Sequence, residues 1–167
     1  ERASETMLKS TDLTNSRVIA FATHGLIRDE INNLTEPALV LSPPIVATDQ
    51  DDGLLKASEI AQLRMNADIV ILSACNTASG QTLEAEGLSG LARAFIYAGA
   101  RSLLVSHWSV DSVTAAKLTT GIFDVLKNNP NVSKSKALQL SMLKLFLDGD
   151  NPHYAHPAFW GPFSLVG

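Results

Sequence analysis

The sequence predicts an α/β domain built on a mainly parallel sheet with helices on both faces. Three observations carry this prediction. Four short apolar runs, RVIAFAT (17–23), PALVLS (37–42), ADIVILSA (67–74) and ARSLLVSHW (100–108), are rich in β-branched residues or closed by turn residues. They are nearly continuous rather than alternating, as strands covered on both faces are. Segments of helical period lie between and after them, giving the strand–helix–strand order of a wound sheet with right-handed crossovers. The 167 residues, 46% hydrophobic and 18% charged, suit one domain with a sizeable core.

Each element has a local reason. ERASETMLKS reads as the end of a helix, and RVIAFAT follows it as a strand that stops at Thr23-His24-Gly25. Residues 28–55 are too long for a simple crossover; within them PALVLSPP and GLLK form a small hairpin around the acidic turn DQDDG (49–53). SEIAQLRM (58–65) opens on a serine suited to capping and reads as a helix before the strand ADIVILSA. EAEGLSGLARAFIYAG (84–99) puts Leu88, Leu91, Phe95 and Ile96 on one face and ends at Gly99, a residue type favoured just past a helix end. After ARSLLVSHW a helix runs from Asp111 through Val113, Leu118, Ile122 and Val125 to Asn129-Pro130. A last one from Ser133 carries Leu140, Leu143 and Phe146 before Asp148-Gly149, and FSLVG closes the chain as a fifth strand.

Composition narrows the function. With 13 Lys+Arg against 17 Asp+Glu, net charge −4, and basic residues scattered singly, nucleic acid is not an expected partner. No apolar run is long enough to span a membrane and no leader pattern marks the start. A single cysteine, Cys75, forbids an internal disulfide and a Cys-based zinc cluster, and suits a reducing, cytoplasmic setting. The chain begins at Glu1 and is read as part of something longer. The turn DQDDG fails as a calcium loop, because a loop started at Asp49 would need an oxygen ligand where Gly53 stands and a glutamate where Ile60 stands. It is read as an exposed acidic turn. His153 and His156 in HYAH have no Cys or acidic partner nearby and are read as a surface turn; no metal or cofactor is expected.

The chemistry points to two strand ends. In an open parallel sheet, reactive groups gather where the strands' carboxyl ends meet. His24 stands at one such end, and the following Gly25 allows a sharp turn and a close-approaching N–H. Cys75 stands at another, in SACNT after the run IVIL. If the two strands are parallel neighbours, both residues emerge on one edge, and an imidazole there would lower the thiol pKa from about 8.5 and hold the leaving group's proton. The alternative is a buried, space-filling thiol.

The blocks FATHGL (21–26), DGLLKASEI (52–60), ILSACNTASG (71–80), EGLSGLARAFIYAGARSLLVSHWSVD (86–111) and HPAFWGPFSLVG (156–167) together resemble the CHAT domain, a caspase-like cysteine peptidase group. The resemblance covers essentially the whole chain, 1–167, as a single domain. It implies a caspase-like three-layer sandwich whose first strand lies upstream of residue 1. It implies His24 as general base, Cys75 as nucleophile, and the N–H groups of Gly25 and Cys75 as an oxyanion hole. It further implies a protein or peptide substrate, and an upstream repeat or sensor domain that triggers proteolysis in a bacterial defence or cell-death pathway.

After the strand at 100–107, Trp108 and Asp111 are candidates to line a substrate pocket, where Asp111 would favour a basic P1 side chain. Asp111 is equally placed to cap the helix that follows, and Trp108 to lie in the core. This loop departs from the expected SLWSVDD: His107 stands for an apolar residue and Ser112 for an acid. Two other functions compete with the peptidase. One is an idle or gated interaction module. The other is a flavodoxin-like hydrolase with a Cys elbow, which would place its histidine after the nucleophile.

Overall fold

The computed structural model describes residues 3–31, 33–48, 50–72, 83–108 and 111–167. Its main sheet holds β1 (Val18–Phe21), β5 (Ile69–Leu72), β6 (Leu103–Ser106) and β7 (Phe163–Val166), in the spatial order β1-β5-β6-β7. β1 pairs with β5 and β5 with β6 in parallel; β7 returns antiparallel to β6. The chain is thus a mixed α/β domain with a mainly parallel sheet. Every residue of β5 and β6 is buried, as their unbroken apolar runs predict, whereas β1 alternates exposed and buried.

The sheet separates two apolar cores. One joins Ile19, Phe21, Val70, Leu72, Leu103 and Val105 to Leu91, Ala92, Ala94 and Phe95 of α3 (Leu83–Tyr97) and to Ala98 just past its end. Phe21 and Phe95 meet there with ring centroids 5.2 Å apart. The other joins Ile69, Ile71 and Leu104 to α4 (Ser112–Asn128) and α5 (Lys134–Phe146) through Leu118, Ile122, Leu138 and Leu145.

α3 ends as its glycine predicts. Gly99 adopts φ +110, and the amides of Gly99 and Ala100 donate to the carbonyls of Ile96 and Phe95, closing the helix in a Schellman motif. The expected apolar stripes are corrected in part: Ile96, Val113, Leu143 and Phe146 face outward. For α5 the reason is a close approach. A Cβ on Gly121 of α4 would lie 2.4 Å from Ser141 Oγ, and that hydroxyl donates to the Leu118 carbonyl at 2.8 Å. Two small residues set the contact line, so Leu138, Ser141 and Leu145 turn inward instead of Leu140, Leu143 and Phe146.

A second, antiparallel sheet holds β2 (Gly25–Leu26), β3 (Ala38–Val40) and β4 (Leu54–Lys56), in the order β2-β3-β4. The hairpin expected from PALVLSPP and GLLK is present, and Gly25-Leu26 adds a third strand to it. The run 37–42 therefore does not enter the main sheet. α2 is only Ala57–Ile60, not the predicted 58–65, and its N-cap is Lys56 rather than Ser58. The chain leaves the helix early because Met65 bridges Leu13 and donates to the Ala98 carbonyl at 2.9 Å, fixing the entry into β5.

The N-terminal segment is helical as expected, with α1 at Glu5–Ser10. Its partner is the acidic turn, and here the expectation of an exposed turn is corrected. Asp51 is only 7% exposed and Glu5 only 1%. Glu5 Oε1 accepts the amides of Asp52 (2.9 Å) and Gly53 (2.7 Å), while Oε2 binds Lys9 at 2.7 Å. Asp49 lies outside the described residues. Among the described residues no helix is long and apolar enough to cross a membrane.

Candidate active site at the carboxyl edge of the sheet

The edge where β1, β5 and β6 end carries His24, Gly25, Trp108 and Asp111. In the parallel register Phe21 pairs with Leu72, so β1 and β5 stop at the same level. His24 follows Phe21 by three residues and is exposed; Cys75 follows Leu72 by three in the chain and lies outside the described residues. The neighbouring parallel pairing that dyad chemistry requires of these two strands is present.

The backbone of His24 is held by the small sheet. Its carbonyl accepts the Val40 amide at 2.8 Å, and the preceding Thr23 hydroxyl donates to the Val40 carbonyl. This bond also fixes the phase of the ladder. With residue 24 bonded to residue 40, Gly25 stands opposite Leu39 at a non-hydrogen-bonded position, so its N–H points away from β3. The His24 ring itself has no hydrogen-bond partner among the described residues.

At the end of β6, the His107 amide donates to the Pro162 carbonyl at 2.9 Å, and His107 Nε2 lies 2.9 Å from Ser164 Oγ. Trp108 is 39% exposed, and its Nε1 donates to the Ala158 carbonyl at 3.2 Å, so the ring stands at the surface rather than in the core. Asp111 caps α4: Oδ2 accepts the Thr114 amide at 2.9 Å and the Thr114 hydroxyl at 3.0 Å. Those donors, the amide first, hold its carboxyl below the ordinary aspartate value. His153 sits in the 3₁₀ turn Pro152–Ala155, and His156 caps the next, its Nδ1 accepting the Ala158 amide at 3.2 Å. The structure thus brings His24, Gly25, Trp108 and Asp111 to one edge, Asp111 already engaged in capping.

A family model of the CHAT domain matches residues 1–167. The chain belongs to the CHAT domain family. The domain is also similar to tetratricopeptide repeat protein 28 of Mus musculus, 30% identical over 114 residues, and to its Homo sapiens counterpart, 26% identical over 114 residues. In each case the match takes in 68% of this chain and 4% of the relative. This CHAT domain therefore corresponds to a small part of two proteins named for tetratricopeptide repeats, and the family relates it to the caspase-like proteases.

Sequence reasoning missed Thr23 and Glu5. A signal for the first exists, since a threonine directly before His-Gly at a strand end can hold a neighbouring strand. For Glu5 none exists locally: its amide partners are 47 and 48 residues away.

Proposed function

We propose that this CHAT domain is a cysteine endopeptidase acting on a protein substrate through a Cys75–His24 dyad. The observation that carries the reading is the rung Phe21–Leu72, from which two adjacent parallel strands lead, each after three residues, to His24 and to Cys75. In this reading the Cys75 thiolate attacks the scissile carbonyl carbon. The oxyanion that forms is held by the amides of Gly25 and Cys75, and the outward-pointing Gly25 N–H supports that role. The C–N bond then breaks, the His24 imidazolium gives its proton to the leaving amine, and a thioester remains. His24 next takes a proton from water as it attacks the thioester, and the C–S bond breaks to release the acid and restore the thiolate–imidazolium pair.

The reading includes a caspase-like three-layer sandwich, with a further strand preceding Glu1 laid along β1. It includes Trp108 and Asp111 as lining of the substrate pocket, a repeat-containing context like that of the named relatives, and a cytoplasmic role in bacterial defence or cell death. Cys75→Ala and His24→Ala should each cut peptide cleavage by about 10³-fold or more with unchanged fold by circular dichroism. Full cleavage by either variant would sink the reading.

A second reading is an idle or gated interaction module, in which His24 and Cys75 are not poised for cleavage in this chain alone. Labelling of Cys75 by a peptidyl electrophile, in this chain and in a longer protein that carries it, separates the two. Equal labelling rates speak for a site competent on its own.

A further inference from the structure

Glu5 is a buried carboxylate on a surface helix, and carboxylates are almost never fully buried unless paired. Its hydrogen bonds lead to one place. Oε1 receives the amides of Asp52 and Gly53, and Oε2 receives Lys9, whose ammonium also reaches the Gln50 carbonyl (2.6 Å) and Glu59 (2.7 Å). Thr6 adds its amide (3.2 Å) and hydroxyl (2.6 Å) to Asp51 Oδ2. Just upstream, the Ala3 carbonyl accepts the Ser42 amide at 2.8 Å. α1 is thus fastened to both arms of the hairpin β3–β4.

The hairpin in turn carries the backbone of His24. The Gly53 carbonyl accepts the Leu41 amide at 2.8 Å, Val40 pairs with Leu54, and the Val40 amide donates to the His24 carbonyl at 2.8 Å. From Glu5 to His24 the path is short: Glu5 to Gly53, Gly53 to Leu41, its neighbour Val40 to His24. Every step between residues is a hydrogen bond except the covalent one from Leu41 to Val40. The turn is also held under load. Asp51 Oδ1 is buried and meets no donor among the described residues, a state that costs free energy and would be relieved by exposure to water. α1 holds the turn in place against that tendency.

We propose that Glu5 is a positioning residue for His24, acting through the turn 50–53 and the hairpin, so that the seating of α1 regulates the candidate site. The proposal rests on the peptidase reading for the meaning of His24, but its test does not depend on cleavage. Amide exchange and imidazole signals are recorded by NMR on the full chain as wild type, Glu5→Ala, Glu5→Gln and Leu145→Ala. Leu145→Ala weakens the core on the far side of the sheet and serves as the control for general destabilisation.

In Glu5→Ala the Val40 amide should exchange about tenfold faster or more, while the Val70 amide, bonded to the Ser102 carbonyl in the main sheet, keeps its rate. The His24 imidazole signals should shift or split. Glu5→Gln keeps an acceptor for the two amides and should change Val40 by less than about threefold. Leu145→Ala should show no selective effect at Val40. If Glu5→Ala does not fold, Thr6→Val, which removes the hydroxyl donor to Asp51, should still speed Val40 selectively by about threefold. Acceleration of Val40 and Val70 by one common factor, or unmoved His24 signals, would overturn the proposal. With an active peptidase, kcat in Glu5→Ala should fall about tenfold with KM within about twofold. If even the wild type cleaves nothing, the peptidase reading fails, and the exchange and imidazole data still decide whether Glu5 positions His24.

Discussion

The two sheets that meet at His24 share one apolar core, in which Leu39 and Leu55 of the small sheet join Phe21 and Phe95, but they differ in what is added to it. The main sheet is apolar: β5 and β6 are buried throughout, and the ion pairs around it, Arg17 and Arg101 on Asp68, sit at its amino edge. The small sheet is clamped by charge. Glu5, Lys9 and Glu59 form one cluster, Asp52 and Lys56 pair at 2.6 Å, and the Glu36 carboxylate accepts the amide and hydroxyl of Ser58 at the start of α2. β1 carries His24 out of the first regime, and β2 takes the chain straight into the second. The candidate nucleophile's strand is therefore set by packing, and the histidine's backbone by a hairpin that carboxylates clamp in addition to packing.

Changes on each side should break this contrast differently. The largest effect is expected from Phe95→Ala, which removes a fully buried ring that packs at a tilt against Phe21. It should cost about 3–5 kcal/mol in urea unfolding and loosen both sheets together, since the main core supports the whole domain. Gly53→Ala should act more locally. Gly53 has φ +85, and an added Cβ would lie 3.1 Å from Pro43 Cα, so strain of about 1–3 kcal/mol is expected. Methyl NMR should report it at Leu39 and Leu55 and spare Leu104 and Leu118; a uniform response would show that the two sheets do not separate.

The smallest effect is that of acid. Burial opposes charge on Asp52, but the Lys56 hydrogen bond and the Leu54 amide outweigh it and lower its pKa. A lowered carboxylate contributes stability that is present above the unfolded value, about 3.9, and is lost as pH falls through the folded value. Raised Lys56, held mainly by its bond to Asp52, and raised Lys9, where bonds to Glu5 and Glu59 outweigh burial, keep their contribution up to the ordinary lysine range. The small sheet should therefore lose stability as pH drops below about 4, by about 0.2–1 kcal/mol for each partly exposed pair, and more readily in high salt; Asp68, lowered by its bonds to Arg17 and Arg101, gives the main sheet a loss of the same sign. Methyl NMR at Leu55 checks this; a Leu55 signal that does not change as pH falls through about 4 would contradict it.

Much of the main sheet was legible because its information is local. Unbroken apolar runs mark β5 and β6, and the order of elements gives their parallel pairing. The candidate pair His24 and Cys75 was legible for the same reason, each standing directly after such a run. What was not legible depends on partners distant in sequence. DQDDG looks solvated until Glu5 and Thr6, 45 or more residues away, are brought against it. SEIAQLRM has a helix's composition, yet the pairing of Met65 with Leu13 overrides it. In KSKALQLSMLKLF apolar residues occur all round the helix, and the inward stripe is chosen by Gly121 and Ser141 on two different helices.

β1 offers a practical handle. Its inward residues Ile19 and Phe21 belong to one core, while α4 and α5 on the other side cover β5, β6 and β7 but leave Val18 and Ala20 open. A small, exposed residue four positions before His24 can accept a fluorescent or paramagnetic amino acid without entering either core. Ala20 is thus a listening post: a reporter there would register movement of the strand that bears the histidine, in real time, while leaving the chain's single thiol untouched.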